Sequence, residues 1–127
     1  MNVLPQQLYY APTHEWALLE EATLVRVGIS DFAQQELGDL VYIDLPKLGR
    51  KVSAGEVCAV VESVKTASDI HSPVSGEIVA INSPITDSPE QVNDTPYSAW
   101  LFCVRSENPL ELHALLSADS YQQLIGN

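Results

Sequence analysis

Val57-Cys58-Ala59-Val60-Val61-Glu62-Ser63-Val64-Lys65-Thr66-Ala67-Ser68-Asp69-Ile70 is the stretch that decides how this chain folds. Val57 to Val61 is a β-favouring run, and a second strand is expected around Ile70 to Ser72, so the chain must reverse between them. The reversal lacks the Asn-Gly or Pro-Gly pairs that ordinarily make such turns. Branched Val64 and Thr66 flank the lysine, an arrangement that opposes local preference, and conflicts of that kind gather at working sites. Stiff flanks hold Lys65 outward. The chain has two other lysines, Lys47 and Lys51, which sit beside Pro46, Gly49 and Arg50 in an ordinary loop. On context alone a solvated surface lysine is still the better explanation of Lys65.

Strand signals continue on both sides of this turn. His14 to Leu19 and Thr23 to Val27 read as an early hairpin around Glu20 and Glu21. Val41 to Leu45 ends at Pro46, Val52 to Glu56 is a turn, and Gly76 to Ile81 and Trp100 to Val104 are further strands, separated by Pro73, Pro84, Pro89 and Pro96. The runs 55–60 and 76–81 match in residue class and hint at similar strands flanking the lysine turn. Gly28-Ile29-Ser30-Asp31 predicts the entry to a two-turn helix with Asp31 as its N-cap and Gly38 as its stop. Asn108, Pro109 and Glu111, with Leu110, Leu112, Leu115 and Leu116, predict a C-terminal helix, and Ser117 caps a second one that runs to Gly126. The expected fold is mainly β: a flattened barrel-sandwich hybrid with a short internal helix and a helical tail over about 108–126. At 127 residues a single domain spanning 1–127 is expected.

Charge limits the partners. Seventeen acidic residues against six basic ones give −11, which disfavours nucleic acid and anionic membranes and allows a basic protein surface. No apolar run is long enough to span a bilayer, and Met1 to Leu8 lacks the pattern of a secretion signal, so a cytoplasmic protein is expected. Cys58 and Cys103 lie in apolar runs and are expected to be reduced, buried and inert. His14, His71 and His113 lack zinc-site spacing, and no nucleophile elbow is present, so no metal and no catalytic residue is expected.

Glu62-Ser63-Val64-Lys65-Thr66, with Gly76 eleven positions after the lysine, is similar to the attachment hairpin of lipoyl domains. Biotin domains usually place methionine on both sides of the lysine, so lipoate is favoured over biotin. The likeness extends through His14-Glu15-Trp16, Val27-Gly28-Ile29-Ser30-Asp31, Leu37-Gly38-Asp39, Ser68-Asp69-Ile70, Pro73-Val74-Ser75-Gly76-Glu77, and Asn93 with Pro96-Tyr97 and Trp100. Several separate blocks in one order are far more specific than a lone motif. Together they resemble the H proteins of the glycine cleavage system. Two departures stand out: Glu20-Glu21-Ala22 replaces a glycine-containing turn, and only Ser98 and Ala99 separate Tyr97 from Trp100.

The resemblance implies a non-catalytic carrier with lipoate joined to Lys65 by an amide. Its implied partners are glycine decarboxylase (P protein), the tetrahydrofolate-dependent aminomethyltransferase (T protein), dihydrolipoamide dehydrogenase (L protein), and a lipoate ligase or lipoyltransferase. The carrier is expected to be a monomer. Glu62, Ser63, Val64 and Gly76 belong to the implied hairpin and its recognition, while Thr13, Glu15 and Asp69 are implied to line a cleft where the loaded arm is parked. A lipoyl relay protein, a biotin carrier and a cofactor-free interaction module remain as rival readings.

Overall fold

The computed structural model describes residues 4–126, so Met1 to Val3 and Asn127, including the start of the segment read for a secretion signal, lie outside the described residues. In chain order the elements are β1 (Tyr9–Tyr10), β2 (Glu15–Glu21), β3 (Leu24–Ile29), α1 (Asp31–Leu37), β4 (Leu40–Asp44), β5 (Lys51–Val52), β6 (Val57–Ser63), β7 (Ala67–His71), β8 (Gly76–Ile81), α2 (Glu90–Asp94), β9 (Phe102–Ser106) and α3 (Ala118–Leu124). Two antiparallel sheets result. One has the order β1-β2-β3-β9-β8-β5 and the other β4-β6-β7, and they face each other without closing into a barrel. The matching runs 55–60 and 76–81 therefore fall in different sheets.

Alternation along β2 shows how the sheets are filled. Ala17 belongs to the main core with Val25, Val27, Ile29, Ile43, Val61, Ile70 and Phe102, whereas Trp16 points the other way into a second cluster with Leu4, Leu8, Tyr10, Ala118 and Tyr121. The tail thus covers the outer face of β2 and buries an aromatic surface that the sheet would otherwise expose. Gly28 in β3 is part of this arrangement: a Cβ there would stand 2.5 Å from the Trp16 ring.

Several local expectations are corrected. Gly28 and Ile29 are the end of β3 rather than a helix entry, and Ser30, not Asp31, caps α1, its hydroxyl accepting from Ala33 N at 3.1 Å. Both residues are good caps, and the strand hydrogen bonds that run through Ile29 fix which one is used. Asn108 does cap the segment after it, accepting from Leu110 N. That segment, Pro109–Ala114, is a 3-10 helix whose three-residue repeat turns Leu112 inward and leaves Leu110 exposed. Glu111 reaches away from its own helix to Ser75, accepting from its N–H at 2.8 Å. Pro84 and Pro89, expected in turns, open a 3-10 helix (Ser83–Thr86) and cap α2. Ser117 caps α3 as expected, accepting from Ser120 N at 3.1 Å.

Cys58 and Cys103 are free and buried, in different sheets. Burial pushes the Cys58 thiol up to about 12 and raises that of Cys103, so neither is a ready thiolate.

Candidate functional site

Lys65 stands at the tip of the β6–β7 hairpin and is exposed. The turn is built by Ser63, one of the residues that the resemblance implied for the hairpin. Ser63 N donates to Thr66 O at 2.7 Å, while the Ser63 hydroxyl accepts from Lys65 N at 3.2 Å and Thr66 N at 3.1 Å. A serine hydroxyl thus does the work usually given to asparagine. Among the described residues other than glycine, only His14 has a positive φ, so Val64 and Thr66 turn the corner in conformations that branched side chains accept. The apparent conflict in the sequence is therefore resolved by Ser63, without backbone strain.

The hairpin rests on the loop between α1 and β4. Val64 N donates to Asp39 O at 3.0 Å, and a Cβ on Gly38 would stand 3.6 Å from Lys65 Cε, so the lysine stem leans over a glycine whose φ is 84°. Asn93 organises that loop: its amide donates to Gly38 O and to Gln34 Oε1, each at 2.9 Å, and accepts from Leu40 N at 2.9 Å. Beyond its stem the lysine is free, since among the described residues its Nζ has neither a hydrogen bond nor an ion pair.

Glu62 is exposed, with Tyr42 of β4 and Ala67 of β7 as its partners on either side. Since β6 is the central strand, guarding an open sheet edge does not account for this carboxylate. Val64 is 71% exposed. Gly76 lies outside the hairpin, in β8 of the other sheet, where an added Cβ would meet Arg105 O at 2.0 Å.

Thr13, Glu15 and Asp69 do not share a single cavity. A cleft of about 250 Å³ is lined by Thr13, His14, Phe32, Leu37, Ser68 and Asp69, among others. A second cavity of about 300 Å³ holds Glu15 with Ala54, His71, Ser72, Glu111 and Leu115, and Thr13 borders both. Glu15 is 1% exposed rather than near the surface, because it is paired with buried Ile29 and points to the same side of the sheet. Its carboxylate is fully engaged: Oε1 accepts from the Thr13 hydroxyl, and Oε2 accepts from His71 N at 2.8 Å and meets His71 Nδ1 at 3.2 Å. The involvement of His71, fifty-six residues away, has no local signal in the sequence.

His14 is half-buried in the cleft wall, its ring 5.0 Å from that of Phe32. Burial lowers its pKa, outweighing the opposing pull of Glu15 and Glu36. Its Nδ1 lies 2.8 Å from the Tyr121 hydroxyl, which also meets the Ser30 hydroxyl at 2.7 Å. Among the described residues no cluster of His, Cys, Asp and Glu is suited to hold a metal ion, and no helix is long and apolar enough to cross a membrane.

Comparison with known proteins adds an independent line. Residues 8–127 match the family model described as glycine cleavage H-protein. The chain is 58% identical over 124 residues to the glycine cleavage system H protein of Methylococcus capsulatus, covering 98% of each. It is 52% identical over 125 residues to the glycine cleavage system H protein 2 of Pseudomonas aeruginosa, covering 98% of this chain and 97% of that one. The crystal structure of a glycine cleavage system H protein from Mycobacterium marinum superposes with a TM-score of 0.87 at 39% identity, over 98% of this chain and all of that one. With the match running through strands, hairpin and tail alike, the chain belongs to the glycine cleavage H-protein family.

Proposed function

We propose that this chain carries lipoate as an amide on Lys65 and moves the aminomethyl group of glycine from the decarboxylase to the tetrahydrofolate-dependent aminomethyltransferase. Membership of a family of non-catalytic carriers supports the reading. The observation that carries it is the free, exposed lysine at a turn made rigid by Ser63. When bound, lipoate supplies a dithiolane that accepts the cargo and is afterwards reoxidised by a flavin dehydrogenase, the dihydrolipoamide dehydrogenase. The chain's own part is position: tethering replaces a bimolecular encounter by a local one. We read it as a single cytoplasmic carrier unit acting as a monomer, a setting in keeping with the two unpaired cysteines.

The cleft fits this role. Asp69 lies four residues beyond the lysine, roughly 13 Å along an extended strand, and a lipoyl-lysine arm reaches on the order of 14 Å. Asp69 can offer charge to a parked ammonium at the cleft surface, while Thr13 borders the same cleft and is held from behind by the Glu15 carboxylate of the neighbouring cavity. Neutralising Asp69 with Asn is expected to shorten the lifetime of the loaded amine by a few-fold. Glu15→Gln should act more strongly, by loosening Thr13 and His71 together. The decay of loaded protein measured without partners checks both, and unchanged lifetimes would remove these residues from the cleft's work.

Intact mass of the protein from its native host tests the cofactor: lipoyl adds about 188 Da and biotin about 226 Da, while an interaction module adds nothing. Glycine-dependent exchange with the decarboxylase then separates the glycine pathway from a lipoyl relay. Glu62, exposed on a central strand, is the residue through which the lipoylating enzyme recognises the hairpin. Glu62→Gln is expected to cut the rate of lipoylation at least tenfold with little change in Tm. Modification at the normal rate would rule that role out.

A further inference from the structure

The helix at the far end of the chain reaches into the cleft wall through one hydroxyl. Tyr121 in α3 is fully buried and stacks on Tyr10 at 4.7 Å between centroids. Its Oη lies 2.7 Å from Ser30 Oγ and 2.8 Å from His14 Nδ1, and Ser30 Oγ already accepts from Ala33 N at 3.1 Å.

Counting protons fixes the direction of this chain of contacts. Ser30 is wholly buried, and of its two hydroxyl partners Ala33 N–H is itself a donor. The Ser30 proton must therefore go to Tyr121 Oη. Tyr121 then has its own proton left to give, and His14 Nδ1 is the atom that receives it. The imidazole is consequently neutral, with its proton on Nε2. Reversing the chain would protonate Nδ1 and strand the Ser30 proton in the interior without an acceptor. Burial favours the same arrangement, pushing the Tyr121 hydroxyl up to about 12 and lowering His14.

The geometry points to a role for Tyr121 as a positioning residue in cargo protection: its hydroxyl occupies the one basic lone pair of His14, so the histidine of the cleft wall cannot deprotonate a parked aminomethyl group. This rests on the carrier reading given above. An aminomethyl thioether is stable while its nitrogen is protonated. A base that takes that proton frees the nitrogen lone pair to form a C=N bond as the C–S bond breaks. The sulfur leaves with the bonding electrons as thiolate and is reprotonated from water, and the released methyleneiminium cation adds water to give formaldehyde and ammonium. No oxidant or reductant is involved. A histidine in the cavity is the group best suited to begin this loss. The other ionisable groups that face it are Glu15 on β2, Glu36 on α1, Asp69 on β7 and Tyr121 itself.

The first test needs no cofactor. Long-range proton–nitrogen NMR of the unmodified protein at neutral pH is expected to show His14 wholly with its proton on Nε2, and a mixture of tautomers in Tyr121→Phe, which keeps the ring stack. A mixed or Nδ1-protonated His14 in the parent protein would overturn the inference. In loaded protein, Tyr121→Phe should release its cargo at least five times faster. Adding His14→Asn, which suits the positive φ of 82° and carries no base, should restore most of the lifetime. If the double variant decays as fast as Tyr121→Phe, the effect is one of packing and the masking role is wrong. Ala33→Phe, which fills the cleft, separates the underlying reading. If it leaves the lifetime at the parent value while the tautomer is as expected, cargo is not held there, and the protective role falls together with the parking site.

Discussion

Protein carrying Lys65→Arg, produced in a host with an intact lipoylation pathway, is expected to keep its unmodified mass and to support no glycine-dependent exchange with the decarboxylase. The guanidinium preserves the charge and a similar reach but cannot form the amide. Because Lys65 is exposed and its Nζ makes no hydrogen bond or ion pair among the described residues, Tm should stay within about 2 °C of the parent. The loss is thus one of function without folding. Intact mass, exchange of labelled bicarbonate into glycine, and thermal denaturation measure its three parts. A mass increase of about 188 Da in this variant would mean that Lys47 or Lys51 is the true attachment site, and the hairpin would lose its central role.

Gly76→Ala is expected to do the reverse, damaging the fold without touching the lysine. Gly76 is paired with Val52 on one side and Ser106 on the other, and an added Cβ would stand 2.0 Å from Arg105 O and 2.8 Å from its carbonyl carbon. These are backbone atoms in a sheet and cannot swing away as a side chain would. The strands must part at the join between β8 and β9, at a cost of about 3 kcal/mol. For a chain of this size that lowers Tm by about 10 °C. Circular dichroism on heating measures it, and a Tm within about 2 °C of the parent would show that β8 and β9 shift freely. Partial lipoylation of the folded fraction is expected, since the hairpin belongs to the other sheet.

Much of this was legible in residues close together in sequence. Val57 to Val61, Gly76 to Ile81, the lysine turn and the Ser117 cap all announced themselves through local pattern. Choices between equally good local signals were not legible. Ser30 and Asp31 are both proper caps, and the register of β3 against β2 decided between them. Ser63 entered the hairpin only through the resemblance, because a hydroxyl closing a turn leaves no signature beyond the serine itself. The cleft was the least visible part. Glu15 reads as a solvated strand start until Ile29 is found beside it, and its tie to His71 spans fifty-six residues. The contact between His14 and Tyr121 spans one hundred and seven, and contacts of that separation follow from the assembled sheets rather than from neighbouring side chains.

The lean of the Lys65 stem over Gly38 also governs how a cargo arm would search for its targets. With Cε close above Gly38, the pivot of the arm moves outward from the backbone toward the side-chain nitrogen, and the tip sweeps a cone instead of a hemisphere. Reach is given up for density: the same dithiolane spends more of its time over the strip between the hairpin and α1, where a docking enzyme would find it already pointed.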